Sequence, residues 1–362
     1  MDQKDPSARS QRNLGRGTAL IALALLGAAC ASSKSSTSSA GASSTSAAAQ
    51  TTAAATTAAA GKEYKVAYLS ASSANTWLAS SLAEMRKVAD AKKVKIVEFD
   101  AQFDPAKQAS QFQDVISTGG YDGVIVVSLA GVASAPDIEA ALKAKMKVVV
   151  LNQVVGKDFT TPDPQVKGIS ASIMSPPYQN GKRFGDLTVK ACQGVNPCKV
   201  AYIYGIKGTP LDEALRSGLN DVVSKNANIS VAAEGEGKYL GPDGGIAATK
   251  TILQVAPDVN VIVGADQSIQ GAAIVLKDEG KKGIKLIGQG GSTPALAGIK
   301  DGSWFGGVFG APGDEGRLAM EAMVQALSGG ADVGGVDPLT KAPDNGLITA
   351  TNVGQFSAQW AG

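Results

Sequence analysis

From residue 62 onward, short apolar strands alternate with amphipathic helices, which predicts an α/β protein of two lobes, each a parallel sheet flanked by helices. The strand candidates are apolar at nearly every position, as expected where helices cover both faces of a sheet. The regular pattern stops at "VVGKDFTTPDPQVKGISASIMSPPYQN" (154–180), a proline-rich stretch with one short strand-like run, and then begins again. After the last regular helix, "GDEGRLAMEAMVQALSGG" (313–330), the tail "NGLITATNV" (345–353) reads as one more strand. A chain that completes one α/β unit, crosses, builds a second and crosses back gives two lobes joined by a hinge of crossing segments. Eight strands are also the number in a single (β/α)8 barrel. The break and the returning tail favour two lobes.

The first lobe opens with "KVAYL" (65–69) and a helix carrying Leu78, Leu82, Met85 and Ala89 at i, i+4, i+7 and i+11, one face of an α-helix. Its further strands are "KIVEF" (95–99), "GVIVV" (123–127) and "KVVVL" (147–151). The second lobe repeats the scheme with "KVAYIY" (199–204), "ISVAA" (229–233), "VNVIV" (259–263) and "IKLIG" (284–288). The runs "SAPD" (134–137) and "TPLD" (209–212) each put Ser or Thr at a helix cap, Pro at the first helical position and Asp where the helix dipole favours it. The expected division is 62–174 with 311–336 for the first lobe and 175–310 with 337–362 for the second. Ahead of them stand a signal peptide over 1–29 and a linker over 30–61.

That leading segment has its own logic. Lys4, Arg9, Arg12 and Arg16 precede the apolar run "TALIALALLGAA", whose 12 residues are too few to span a bilayer as a helix. The ending "LLGAAC" resembles the lipobox of bacterial lipoproteins, in which the cysteine becomes the lipidated first residue. Gly27 departs from it, standing where leucine is usual. An ordinary cleaved signal peptide is the alternative. The next 31 residues, 31–61, are almost wholly Ser, Ala and Thr and cannot offset their ordering entropy; as a flexible tether they would reach roughly 30 Å. Cys30 is then the lipidation site and the membrane the first partner.

Without residues 1–29 the chain keeps 30 of its 34 basic and 30 of its 32 acidic residues. A neutral chain with no basic run has no electrostatic means of gripping nucleic acid, so that partner is excluded. Outside the cytoplasm, Cys192 and Cys198 in "ACQGVNPCKV" are most simply a disulfide. The rival metal site lacks ligands, since the chain contains no histidine and no other cysteine remains. Without histidine, Ser-His-Asp and Cys-His catalysis are impossible. There is no GxxxxGK[ST] phosphate loop, "GQGGST" (288–293) lacks dinucleotide spacing, and no carboxylate pair stands out for glycoside hydrolysis. No enzyme activity, cofactor or metal is expected.

Ligands of open parallel sheets bind beyond the carboxyl ends of the strands. The residues just after the strands include Ser70, Asp100, Ser128, Asn152, Gly205, Asp266 and Gln289, mostly polar and rarely charged, which suits a neutral polar molecule. Trp77, beside Asn75 in the loop after the first strand, offers a flat ring to one face of such a ligand, or else covers the first-lobe core. Asn75 caps the helix, contacts ligand, or does both. Asp266 either faces ligand or bonds a neighbouring loop. Asn152, Gln153 and Tyr239 in "GKYLGPDGG" complete the candidate set, with Glu213 and Gln289 weaker than the rest.

The run "FDPAKQASQFQDVISTGGYDGVIVVSLAGVASAPDIEAALKAKMKVVVLNQ" resembles the first lobe of the periplasmic sugar-binding proteins that include ribose-binding protein. "IYGIKGTPLDEALRSGL" (203–219) and "APDVNVIVGADQSIQGAAIVLKDEG" (256–280) resemble their second lobe. The resemblance runs from 62 to about 330 and implies a type I periplasmic binding protein. Such a protein is a monomer that closes on a small ligand and delivers it to an ABC transporter permease. DNA-binding repressors of related fold carry an N-terminal helix-turn-helix, whose place is taken here by signal and linker. The resemblance also puts Asn75 and Trp77 on an asparagine and an aromatic that contact sugar. Four positions depart from the family: Asn152–Gln153 replaces an Asp–Arg pair, Glu213 an arginine, and Gly290 an aspartate. The charged clamp for sugar hydroxyls is largely gone, so the identity of the sugar does not carry over. A lipoprotein that senses ligand and reports to a membrane receptor or kinase would share the same lobes and cleft.

Overall fold

Strand β1 (Tyr64–Ser70) shows why the strands read as unbroken apolar runs. Its side chains alternate between faces. Val66 and Tyr68 pack with Leu78, Met85 and Met320 on one side. Ala67 and Leu69 pack with Phe112, Val115 and Ile138 on the other. A helix layer on each face makes apolar side chains the rule along the middle of the strand.

The computed structural model describes residues 62–362, so the signal run, Cys30 and the linker lie outside the described residues. After β1 come α1 (Thr76–Lys92), β2 (Val94–Asp100), α2 (Pro105–Thr118), β3 (Gly123–Val126), α3 (Ala135–Lys143), β4 (Lys147–Leu151) and β5 (Ala171–Ile173). The second half supplies α4 (Pro177–Ala191), β6 (Cys198–Tyr204), α5 (Pro210–Val223), β7 (Ile229–Glu236), α6 (Pro242–Val255), β8 (Val261–Ala265) and α7 (Asp266–Asp278). It continues with β9 (Lys285–Gly290), α8 (Thr293–Asp301), β10 (Gly306–Phe309), α9 (Pro312–Leu327), β11 (Gly334–Val336) and β12 (Leu347–Thr349).

These strands form two six-stranded sheets, ordered β11-β5-β4-β3-β1-β2 and β12-β10-β9-β8-β6-β7. Every pairing is parallel except β10 with β12. The fold is the two-lobed α/β class, not a barrel. Helix α9 follows β10 of the second sheet yet packs on α1 and β4 of the first, and β12 returns to the second sheet. The chain therefore crosses between sheets three times: before α4, before α9 and between β11 and β12.

Two strands, β10 and β11, are absent from the sequence expectation. Their sequences, "GGVF" and "GGV", carry too little side chain to signal a strand, and they exist because a partner strand is already in place. The caps differ too. Ser134 and Thr209 stand at the N-cap positions of α3 and α5, but neither side chain caps its helix. Ser134 lies in a 3-10 turn and its Oγ pairs with Ser128 Oγ at 2.7 Å, while Thr209 Oγ1 lies within hydrogen-bond distance of both Ile206 O and Asp212 Oδ2 and shares its one proton between them. Cys192 and Cys198 are joined as a disulfide with Cα atoms 5.7 Å apart, at the amino end of β6. Among the described residues, no helix is long and apolar enough to cross a membrane.

Candidate ligand cleft

In each sheet one strand has neighbours reached in opposite directions: β1 lies between β2 and β3, and β6 between β7 and β8. Loops leaving the carboxyl ends of such strands diverge and open a crevice. Residues from both crevices line one cleft that is continuous with solvent.

The first-lobe wall is built on an indole. Trp77 stands in the first turn of α1, and Asn75 caps that helix by accepting from Leu78 N at 3.0 Å. Asn75 Nδ2 donates across the cleft to Tyr239 O at 2.9 Å, so its amide is spent on holding the helix and the opposite lobe. Trp77 meets Trp360 edge-on, with ring centroids 5.4 Å apart. Gly310 makes room for it, since a Cβ there would lie 2.2 Å from the indole.

Beneath the indole lies a group that the sequence did not announce. Glu315, in the first turn of α9, is only 3% exposed, yet lines the cleft. Its Oε2 accepts from Trp77 Nε1 at 3.1 Å and from Asn152 Nδ2 at 3.0 Å. Burial pushes its carboxyl up to about 7, against the two donors, which favour the charged form, and the nearby Asp337 charge adds to the rise. Asn152 reaches it from the left-handed region at φ +63°, which asparagine tolerates better than most residues.

The second-lobe wall is organised by Asp212. It accepts from Gly205 N (2.7 Å), Ile206 N (3.1 Å), Thr209 Oγ1 (2.8 Å) and Tyr239 Oη (2.9 Å), tying two loops into one surface. Burial raises its carboxyl and these bonds oppose the rise. The Tyr239 ring packs against Gly205, where a Cβ would come within 1.8 Å of it. Burial and the Asp212 charge push the Tyr239 hydroxyl well up, keeping it a donor.

Of the other expected positions, Ser128, Gln153 and Gln289 line the cleft. Ser128 Oγ is already engaged, pairing with Ser134 and accepting from Gly131 N at 3.1 Å. Asp266 is a correction: it is fully buried and does not line the cleft. As the first residue of α7 its side chain turns beneath β9, where Oδ2 accepts from Ser292 N at 2.7 Å and Oδ1 has no partner. Its neighbour Gln267 lines the cleft instead. Glu213 is exposed and accepts from Gly208 N in its own loop at 3.0 Å. Asn180, Gln267, Asp212, Glu315 and Trp360 line the cleft without having been singled out as contacts. Among the described residues no lysine or arginine lines it.

Two lobes hinged by three crossings, with a cleft at the carboxyl ends of both sheets, define the type I periplasmic binding proteins. Consistent with that, the model of the periplasmic binding protein domain matches residues 66–331, and the chain belongs to that family. A ribose import binding protein of Bacillus subtilis is 23% identical over 74% of this chain and 83% of its own length. A xylitol-binding protein of Mycolicibacterium smegmatis is 22% identical over 74% and 72%. Among solved structures, an ABC transporter solute binding protein from Mycobacterium smegmatis with bound glycerol gives a TM-score of 0.70 at 22% identity, covering 83% of this chain and 100% of that one. One from Bacillus halodurans with bound myo-inositol gives 0.70 at 20%, covering 82% and 98%.

Proposed function

We propose that this chain is an extracytoplasmic solute-binding lipoprotein that captures a small, neutral, hydroxyl-rich molecule, a sugar or polyol, and delivers it to an ABC transporter permease. The observation that carries this is the composition of the cleft. The Trp77 indole stands with the side-chain amides of Gln153, Gln267 and Gln289, with no cationic side chain among the lining residues. Amides both donate and accept, which matches hydroxyl groups. An aromatic face covers the apolar side of a sugar ring. The named ligands of relatives and structural neighbours, ribose, xylitol, glycerol and myo-inositol, are all of this kind.

Trp77, Asn152, Gln153, Tyr239 and Gln289 are the contacts we assign to the ligand, joined by Gln267 and Asn180, while Asn75 and Ser128 shape the walls. The lobes comprise 62–174 with 311–336 and 175–310 with 337–362, and they close by rotation about the three crossings. Cys30 carries lipid, and 31–61 is the tether. Calorimetry of the mature protein against pentoses, hexoses, polyols, nucleosides and small amines tests the ligand class; tight binding of an anion, or of nothing uncharged, refutes it.

A further inference from the structure

We propose that Glu315 is the specificity-determining residue of the cleft: it reads a hydrogen-bond donor on the ligand, hydroxyl or ammonium, and rejects the carboxylate or phosphate counterpart. This rests on the cleft being the ligand site.

Both protein donors to Glu315, Trp77 Nε1 and Asn152 Nδ2, converge on Oε2. Oε1 accepts from no described residue, and it is not among the side-chain atoms sealed away without a partner. A buried carboxylate with one oxygen occupied and the other open to the cleft presents an acceptor that only a ligand donor can satisfy. The other carboxylate of the lining, Asp212, differs, because four donors already saturate it. The remaining charges near Glu315 are also spent. Asp337 on the last crossing accepts from Ser175 Oγ at 2.5 Å, and Asp314 on α9 is bonded by Arg317 and Gln359. Arg183, buried on α4, gives its guanidinium to Asn180 Oδ1 and to Asn345, and does not line the cleft. An anionic ligand would therefore meet acid on both walls and no cation. A donor-bearing ligand would also relieve Trp77 and Asn152 of being the only groups that stabilise the charge of Glu315.

Glu315→Gln tests this because it inverts one atom. To keep accepting from Trp77 and Asn152, the new amide must turn its oxygen towards them, which aims its NH2 at the cleft where Oε1 stood. Calorimetry at pH 8 compares the two proteins against glucose, glucosamine, glucuronate and myo-inositol. Wild type is expected to bind the neutral or amino forms and to bind glucuronate at least a hundredfold more weakly. In Glu315→Gln the donor-bearing probes should weaken roughly ten- to a hundredfold, and the penalty on glucuronate should shrink. Glucuronate bound by wild type as tightly as glucose, or an unchanged pattern in the variant, overturns the proposal. A ligand-free measurement separates it from the proposed function. Tryptophan emission, summed over Trp77, Trp304 and Trp360, should show a component with a midpoint near 7 in wild type that Glu315→Gln lacks, apart from the Asp266 titration near 6 that both proteins share. If no probe binds but emission titrates, the ligand class fails and the open carboxylate stands. A wild-type titration without that component means Glu315 is ionised throughout, and the probe pattern alone then decides the proposal.

Discussion

Asp266→Asn should change how stability depends on pH, by an amount that follows from the burial of this one carboxyl. Burial at the start of α7 raises Asp266 from 3.8 to about 6, with the Ser292 N–H opposing the rise. The folded protein therefore holds a proton between those values that the unfolded chain has already released. Stability from this group is fully present below pH 3.8 and is lost as pH rises through about 6. A rise of about two units at 1.36 kcal/mol each makes the loss about 3 kcal/mol. Asparagine has no proton to lose. Its oxygen can keep the Ser292 bond, and its NH2 falls where Oδ1 has no partner, a penalty of about 1–3 kcal/mol that does not vary with pH. The variant can thus be less stable than wild type at pH 4, yet its deficit should shrink by about 3 kcal/mol by pH 7. In melting temperature this is a relative gain of about 5 °C or more. Differential scanning calorimetry of both proteins from pH 4 to pH 8 measures it. Parallel curves would show that Asp266 carries no shifted proton and would refute the reasoning.

Trp77→Ala should weaken ligand binding by about 2 kcal/mol, near thirtyfold, if the ring is a central contact; calorimetry with unchanged affinity would remove Trp77 from the site. Replacing Cys192 and Cys198 together with alanine should cost roughly 2 kcal/mol in denaturant melts and leave affinity intact, because the loop closes at the end of β6 away from the cleft. Thiol labelling of the unreduced protein should find both sulfurs blocked. Cys30→Ser should move the protein from the membrane fraction to the soluble fraction, which immunoblotting of fractionated cells reads directly.

Fold class lay open in the sequence because strand and helix periodicity are local. "KVAYL" and "KVVVL" are apolar on both faces, and that alone demands helices on each side. The break at 154–180 and the returning tail marked where the chain leaves one sheet for the other. Cleft residues were legible at the carboxyl ends of strands, as with Asn152 and Gln153 after β4 and Gln289 near the end of β9. Asp266 passed the same rule and failed in space, since one step around the start of a helix decides whether a side chain faces the cleft or turns beneath the sheet.

Trp77 and Glu315 are 238 residues apart, and no spacing or period connects them. Within its own helix, Glu315 reads as an acid favoured by the dipole of the first turn. It becomes a buried group open to the cleft only because α9 crosses back to lie on α1 and β4. The same holds for Asp212, which reads as a helix-start residue until two loops fold their donors onto it. The local pattern determined the lobes, the strand ends and the aromatic at the first of them. Long-range packing decided which acids are desolvated and which atoms are left for a ligand, because burial and partner geometry are properties of the assembled chain.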